Sequence, residues 1–354
     1  TVLAITIGIT NYKDKSVSSN QYRSSVQFIE KIAEHLNVEK TRIYINSEAS
    51  IENSFVKIDD TYYRVISSGK KDDYLLEKIL SDLDEAGIDQ AIMKIPCAHE
   101  WMSLEICKRF NEGMANYQKM SNGRLKGLAV VPPIGSQEVK AEIEKCFKEY
   151  GFVGVQLVAH YGNKYLDDEV FEEFFSYLNK QETTVYIHHT PVPVEYNSIY
   201  EYTNIRRSYG RQIDQGIAVA RELFSGFFIK YPNLKFVHSM LGGGFFAFKN
   251  LLFPKMEKKE SVGRFETDND CIEKQLKNNI YFEMSHAQPW GKEQLELAVK
   301  VLGADHILFG SSYPVRESWL MDGADFIRAL NITEDEKKLI LAGNSQRLYD
   351  LDTR

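Results

Sequence analysis

The sequence predicts an α/β protein whose fold is a (β/α)8 TIM barrel. Short and almost continuously apolar runs recur along the chain, as expected for parallel strands that are buried on both faces. Amphipathic helical patterns separate these runs, and the alternation continues through most of the 354 residues. A doubly wound open sheet is the alternative fold, but no Gly-x-Gly-x-x-Gly turn follows an early strand.

Eight apolar runs are predicted to form the barrel strands. They are residues 2–9, 91–95, 127–131, 154–158, 184–188, 235–239, 280–284 and 307–310. Three clear helical patterns lie between them, at 72–87, 136–151 and 167–180, and each starts on a residue type that caps helices. The first two end on Gly87 and Gly151, which is typical of a helix C-terminus.

Residues 11–71 interrupt this repeat. They contain one helix-like run and then an alternating, turn-rich stretch that suggests a small β excursion. An insertion after the first strand would lie over the C-terminal ends of the barrel strands. We therefore expect a single barrel domain over residues 1–354, with residues 11–71 as a lid-like insertion within it.

The composition and charge of the chain indicate which kinds of binding partner to expect. The formal net charge of -7 argues against a surface that binds nucleic acid. The apolar opening stretch is too short for a membrane span and lacks the flanks of a signal peptide, so no membrane association is expected. Four scattered cysteines suit a reducing compartment and form no metal-binding spacing. These features predict a cytoplasmic protein whose partner is a small-molecule substrate.

The candidate site lies at the ends of the last four strands, where barrel enzymes place their catalytic residues. The chemistry-bearing side chains at these ends are His188, His189, His238, Glu283, His286, Ser312 and Tyr313. A single histidine is more often a structural residue. Four of the chain's eight histidines at three consecutive strand ends instead indicate a shared site.

Arginines and aromatic residues near this rim are candidates for substrate binding. Arg207, in a cationic loop, and Arg316, just after the eighth strand, could hold a carboxylate bidentately. Solvated loop charges are the alternative. Trp290 and Tyr313, with Trp101 near the second strand, suggest aromatic walls and a planar substrate, although core packing would explain each of them as well.

Several motifs resemble those of a known family. The stretches "VYIHHTP", "KFVHSMLGGG", "IYFEMSHA", "HILFGSSYP" and "LAGNSQRLYDL" are similar to the signatures of the amidohydrolase-related superfamily, in the branch of aminocarboxymuconate-semialdehyde decarboxylase. The similarity spans residues 75–350. It implies a TIM barrel that binds a divalent metal, usually zinc, through a first-strand His-x-His pair, a fifth-strand histidine and an eighth-strand aspartate.

Only part of that pattern is present. By position, His188 matches the fifth-strand ligand and His238 matches a catalytic sixth-strand histidine. Thr6 and Gly8 stand about where the His-x-His pair would be, and Ser312 replaces the aspartate. Neutral hydroxyls are poor ligands for zinc, so we expect no resident metal or other cofactor. The alternative is zinc held weakly by His188 and His238, with Glu283 or His286 swinging in.

The resulting hypothesis is a metal-independent lyase or hydrolase that acts on a carboxylated or aromatic molecule. His238 would be the main acid/base, with His188 and His286 as its partners. Glu283 would orient an imidazole, unless it pairs with a core lysine or arginine. Ser312 would donate a hydrogen bond to a substrate oxyanion, and His189 would also contact substrate.

Two other functions remain open at this point. One is a metal-dependent enzyme with rearranged ligands, and the other is a catalytically inactive barrel that binds a ligand or stabilises a partner enzyme. Analogy with the family also suggests a homodimer.

Overall fold

The computed structural model describes residues 4–8, 55–58, 61–64, 75–95, 104–190, 198, 202, 204–254 and 269–351, the first three ranges through their main chain alone. The strands, in chain order, are β1 (Ala4–Gly8), β2 (Phe55–Ile58), β3 (Thr61–Arg64), β4 (Gln90–Lys94), β5 (Leu125–Val130), β6 (Gly154–Val158), β7 (His160–Tyr161), β8 (Lys164–Tyr165), β9 (Thr184–His188), β10 (Lys235–His238), β11 (Ile280–Glu283) and β12 (Ile307–Leu308).

Eight of these strands form one parallel sheet, in the order β1, β4, β5, β6, β9, β10, β11, β12. Sheet order therefore follows chain order. Residues 339–343 contact both β12 and β1, and the amide of Phe309 donates to the carbonyl of Ile340 at 3.0 Å. This amide therefore forms no hydrogen bond within the sheet, which is why β12 ends at Leu308 and not at residue 310 as predicted. The curled parallel sheet confirms the predicted α/β barrel.

The helices alternate with the barrel strands. They are α1 (Leu76–Glu85), α2 (Leu104–Met120), α3 (Gln137–Lys148), α4 (Glu172–Lys180), α5 (Arg211–Phe224), α6 (Phe227–Lys230), α7 (Met240–Leu252), α8 (Asn269–Asn279), α9 (Lys292–Leu302), α10 (Glu317–Met321), α11 (Gly323–Arg328), α12 (Glu334–Lys338) and α13 (Asn344–Tyr349). Ser136 caps α3 by accepting from the amide of Val139 at 3.3 Å. Gly87 and Gly151 both have φ of +67°, as predicted for residues that end helices.

One apolar residue from each of six barrel strands, all except β1 and β6, lines the barrel interior. These residues, with two from the C-terminus, are Ile92, Leu128, Tyr186, Val237, Tyr281, Leu308, Tyr349 and Leu351, and all are buried. A larger apolar cluster fills the space between the sheet and the helices. Because side chains alternate along a strand, Lys94, His188 and Glu283 share the inward face with Ile92, Tyr186 and Tyr281.

Helix α13 closes the barrel at the N-terminal ends of its strands. The hydroxyl of Thr184, which begins β9, donates to the carbonyl of Leu348 at 3.0 Å. The amide of the Asn344 side chain donates to the carbonyls of Ala304 and Ile307, both at 2.7 Å. The Gly-Asn-x-x-Arg-Leu motif thus joins the last helix to the strand that precedes it.

The predicted insertion is described only at an antiparallel hairpin of β2 and β3, in which Phe55 pairs with Arg64. The remainder of residues 11–71 lies outside the described residues, as does Trp101. The lid and the single-domain boundary therefore stay predictions. Within the described ranges, no helix has the length and apolarity needed to cross a membrane.

Candidate active site

A buried polar group occupies the mouth of the barrel around Glu283, the last residue of β11. The hydroxyl of Tyr186 donates to Glu283 Oε2 at 2.8 Å, and the amide of Ser285 donates to Oε1 at the same distance. The hydroxyl of Ser285 also contacts Oε2, at 3.3 Å. Burial raises the pKa of Glu283, while the Lys94 ammonium and these donors partly offset that effect. The charge of a core lysine thus favours the ionised form of Glu283, and a role of Glu283 in orienting an imidazole stays a prediction.

Lys94 ends β4 inside the same mouth. Lys94 is only 6% exposed, and its Nζ lies 5.3 Å from the centroid of the Tyr186 ring. A buried ammonium is expensive unless negative or polar groups face it. The signal in the sequence was a lone lysine in the otherwise apolar run "AIMKI", and the sequence prediction missed it.

His188 ends β9 and lies next to this group. Its ring is 6.4 Å from the Tyr186 ring and 4.0 Å from the ring of His189. Nδ1 of His188 is 2.6 Å from the carbonyl oxygen of His189, so Nδ1 carries the proton in this contact. Proton transfer to a substrate would consequently use Nε2 of His188.

His286 and Ser312 form a second group, at the ends of β11 and β12. The Ser312 hydroxyl donates to the carbonyl of Ser285 at 3.0 Å, and His286 Nδ1 lies 3.2 Å from the same hydroxyl. Because the single hydroxyl proton faces a carbonyl, Nδ1 of His286 must be the donor. Nε2 of a neutral His286 is then a hydrogen-bond acceptor. Ser285 and Ser312 both have positive φ, at 64° and 50°, a strained conformation that is common at functional sites.

Trp319 and Arg316 enclose this histidine. The Trp319 ring stacks on His286, with centroids 4.2 Å apart and planes at 18°, and the Arg316 guanidinium lies 5.2 Å from the Trp319 ring. Burial, and then the charge of Arg316, lower the pKa of His286 to about 4. His286 is therefore neutral at pH 7. Trp319 was not predicted, because nothing in its local sequence distinguishes it from a helix residue.

His238 lies on the other face of the sheet. It is completely buried against α5, where Nε2 is 2.8 Å from Glu222 Oε2 and Nδ1 is 3.0 Å from Gln215 Oε1. Val237 faces the barrel interior, so the side chain of His238 must face outward. The structure thus brings His188 and Glu283 together at the mouth and places His238 between the sheet and a helix. Its proposed acid/base role stays a prediction.

Tyr313 and Trp290, which were predicted as aromatic walls, pack with the large apolar cluster of the core, and their role as substrate walls stays a prediction. The Tyr313 hydroxyl donates to Asp82 Oδ2 of α1 at 2.5 Å, and the tyrosine is 2% exposed. The Trp290 indole donates to the carbonyl of Met284 at 3.0 Å. Of the predicted arginines, Arg316 is exposed beside Trp319, while the side chain of Arg207 lies outside the described part of the chain.

A further buried cluster of polar side chains lies at the ends of β6 and β9, and the sequence analysis did not predict it. Thr190 Oγ1 lies 2.9 Å from His160 Nε2 and donates to Asp214 Oδ2 at 2.5 Å. The Tyr165 hydroxyl donates to Asp214 Oδ1 at 2.6 Å. His160 follows the run "GVQLVA", and its place after a predicted strand was the available signal.

Comparison with known proteins places the chain in a family. Residues 81–262 and 272–351 match the family model described as amidohydrolase, and residues 1–85 match a second model, described as a protein of unknown function. The chain is 24% identical over 296 residues to the gamma-resorcylate decarboxylase of Polaromonas sp. (strain JS666), covering 76% of this chain and 86% of that protein. It is 22% identical over 317 residues to the 2-amino-3-carboxymuconate-6-semialdehyde decarboxylase of Dictyostelium discoideum, covering 83% and 81%.

A solved structure agrees on the fold. A dihydroxybenzoic acid decarboxylase from Polaromonas sp. JS666, with bound manganese and the inhibitor 2-nitroresorcinol, superposes with a TM-score of 0.69. The two sequences are 18% identical, and the match covers 100% of this chain and 98% of that chain.

The residues described in this chain do not fit a divalent metal. Among them, no three His, Cys, Asp or Glu side chains are grouped so as to hold an ion. Ser312, at the expected aspartate position, is a neutral hydroxyl bound to a carbonyl. Lys94 adds a positive charge to the interior that would repel a metal ion.

The matched family model covers well over half of the chain, two curated relatives of the chain are decarboxylases, and the chain shares the fold of a solved decarboxylase. This chain is therefore a member of the amidohydrolase family, an amidohydrolase-related lyase or hydrolase of the branch that contains aminocarboxymuconate-semialdehyde decarboxylase.

Proposed function

We propose that this chain is a metal-independent decarboxylase of small hydroxylated aromatic acids. The observation that carries the proposal is the His286–Ser312 pair, in which a neutral imidazole presents Nε2 as an acceptor beside an exposed arginine and a tryptophan ring. An acceptor suits the hydroxyl of a phenolic substrate, and an arginine suits its carboxylate. The relatives named as decarboxylases support the reaction type.

The reaction requires one proton donor that reaches a ring carbon. His188 is proposed for this role, since its Nδ1 proton is held by the carbonyl of His189 and an imidazolium would donate from Nε2. The proton adds to the carbon that bears the carboxylate, the carbon–carbon bond then breaks, and its electron pair restores the ring as CO2 leaves. Solvent returns a proton to His188. His286 accepts the phenol proton in a hydrogen bond and holds the ring in place.

The test is CO2 release from a panel of hydroxybenzoates by protein treated with a chelator, with metal content measured by elemental analysis. We expect turnover without stoichiometric metal, and a loss of about 100-fold or more in kcat for His188→Gln and His286→Gln. His306→Gln is the matched control, because His306 precedes β12 at the opposite end of the barrel and its Nδ1 contact with Ile280, at 2.8 Å, can be replaced by an amide.

Two outcomes contradict the proposal. Activity that disappears with chelation and returns with manganese or zinc would favour a metal-dependent enzyme with rearranged ligands. Binding of the aromatic acids without conversion would favour an inactive barrel that binds a ligand. A cytoplasmic location and a homodimer are further parts of the proposal, and subcellular fractionation and the solution mass test them.

A further inference from the structure

Ser285 lies where the chain leaves β11, and its main chain forms a tight turn. The amide of His286 donates to the carbonyl of Met284 at 2.7 Å, which closes a three-residue turn around Ser285, whose φ is 64°. A turn of this size with positive φ is rare and strained, and a residue other than glycine stays in it only where its surroundings hold it. The turn brings His286 within reach of Ser312.

The side chain of Ser285 holds this turn through two contacts. Its hydroxyl oxygen accepts from the amide of Met240, two residues after β10, at 3.0 Å. Its hydroxyl proton is directed at Oε2 of Glu283, at 3.3 Å. Because both contacts are made to the protein itself, the hydroxyl is suited to holding other groups in place and not to exchanging a proton with a substrate.

The main chain of Ser285 reaches a third segment, since its carbonyl accepts from the Ser312 hydroxyl at 3.0 Å. Met240, Ser285 and Ser312 follow the adjacent strands β10, β11 and β12, and all three have positive φ, at 54°, 64° and 50°. Ser285 therefore joins three strained exits from the sheet. Its position determines where the Ser312 hydroxyl finds its acceptor.

That acceptor decides which nitrogen of a neutral His286 carries the proton. Ser312 has one hydroxyl proton, and its oxygen lies 3.2 Å from Nδ1 of His286. If the Ser312 proton goes to the Ser285 carbonyl, Nδ1 must donate and Nε2 accepts. If it goes to Nδ1 instead, Nε2 carries the ring proton and donates. The first form suits a phenol hydroxyl and the second suits a phenolate.

We propose that Ser285 is a positioning residue that keeps the Ser312 hydroxyl bonded to its own carbonyl and thereby fixes Nε2 of His286 as an acceptor. The inference rests on the proposed function for its consequence, which is that the site binds the substrate hydroxyl as a neutral phenol and disfavours phenolate. Ser285 touches no substrate in this proposal. It acts through the turn, and small displacements of groups near a reacting centre are enough to slow a reaction strongly.

The experiment identifies the protonated ring nitrogen of His286 by nitrogen NMR at pH 7, with His286→Gln to assign the signals. The wild type should carry the proton on Nδ1. Ser285→Ala should give a mixture of the two forms and a kcat on hydroxybenzoates that is lower by about tenfold or more. Ser285→Gly adopts positive φ without strain, so it should fold even if Ser285→Ala does not. It should show the same mixture, because the hydroxyl contacts are lost in both variants.

Ser121→Ala is the matched control. Ser121 is 2% exposed, and its hydroxyl also donates once, to the carbonyl of Gln118 at 2.8 Å, and accepts once, from the amide of Leu125 at 3.0 Å. It precedes β5, at the N-terminal end of that strand. The variant should lower the Tm, as Ser285→Ala does, and should leave both the protonated nitrogen of His286 and kcat unchanged.

Three results would overturn the inference: a wild-type His286 that is protonated on Nε2, a proton that stays wholly on Nδ1 in both Ser285 variants, or an equal change in Ser121→Ala. The NMR readout requires no turnover. If the wild type released no CO2 while the Ser285 variants still gave the mixture, the proposed decarboxylation would be rejected and Ser285 would remain a positioning residue.

Discussion

Glu283 fills the space that a side chain at Gly310 would need. A Cβ built on Gly310 would lie 1.3 Å from Oε1 of Glu283, which is far inside van der Waals contact. Glu283 ends β11 and pairs in register with Leu308 of the neighbouring parallel strand β12, and Gly310 follows Leu308 by two residues. The first residue of "GSSYP" must therefore be glycine, because the Glu283 carboxylate of the neighbouring strand occupies the space of a side chain. The same contact places Glu283 next to the segment that carries Ser312.

Replacing Gly310 with alanine should displace that carboxylate. We expect Gly310→Ala to destabilise the protein by roughly 1–3 kcal/mol, as overpacking does in well-packed interiors, and to lower activity. Urea unfolding measures the first effect. Gly216→Ala is the matched control, because its Cβ would have its nearest contact at 3.7 Å and should be neutral or stabilising within α5. A Gly310→Ala protein with wild-type stability and activity would disprove this relationship.

His286 should titrate near pH 4, not near 6.5. Its folded-state pKa is lowered, so the neutral ring stabilises the fold fully above pH 6.5, and this stabilisation is lost as the pH falls from 6.5 towards 4. NMR of the imidazole measures the midpoint, and unfolding at each pH measures the stability. In His286→Gln, stability should fall less over this interval.

Arg316→Gln separates the two causes of that shift. Loss of the Arg316 guanidinium should raise the pKa of His286 only part of the way back towards 6.5, because burial is the larger cause of the shift and is unchanged in the variant. The control is Lys300→Gln on the exposed side of α9, which should not move the midpoint. A His286 midpoint near 6.5 in the wild type would contradict the described burial.

His238→Ala should destabilise the fold. Removing the imidazole leaves the buried Glu222 carboxyl without the partner that lies 2.8 Å from it, and breaking such a buried pair costs about 3–5 kcal/mol. Burial already raises the pKa of Glu222, so the residue would take up a proton in the variant. Glu222→Gln should cost less, since an amide can still donate to Nε2 of a neutral His238. Chemical denaturation and kcat should be measured together. A fall in kcat without loss of stability would instead support the acid/base role predicted from the sequence.

Tyr313→Phe should cost about 1.5–3 kcal/mol, the range for a buried hydrogen bond to a charged group. The hydroxyl joins the exit of β12 to Asp82 of α1, which Lys78 also contacts at 2.7 Å. Tyr202→Phe, at a residue that is 59% exposed, is the control and should be neutral. If Tyr313→Phe left stability unchanged but abolished activity, the result would instead support the predicted contact of Tyr313 with the substrate.

Much of the architecture could be predicted from local sequence. Runs such as 154–158 and 184–188 coincide with β6 and β9 in the structure, because a strand buried on both faces must be apolar throughout. The glycines at 87 and 151 end helices as predicted, since they take left-handed conformations that other residues avoid. The histidines at the strand ends were likewise found by position alone.

The face on which each side chain lies was decided by the tertiary structure. A strand that is apolar on both faces carries no alternation, so its sequence cannot reveal that Val237 faces inward and His238 outward. The contacts of Lys94 with Tyr186, and of Trp319 with His286, join residues far apart in the chain. The sequence by itself determined the barrel and the rim that bears its polar residues. Only the packing of sheet against helix determined which of those residues share the interior, because that depends on register between distant strands.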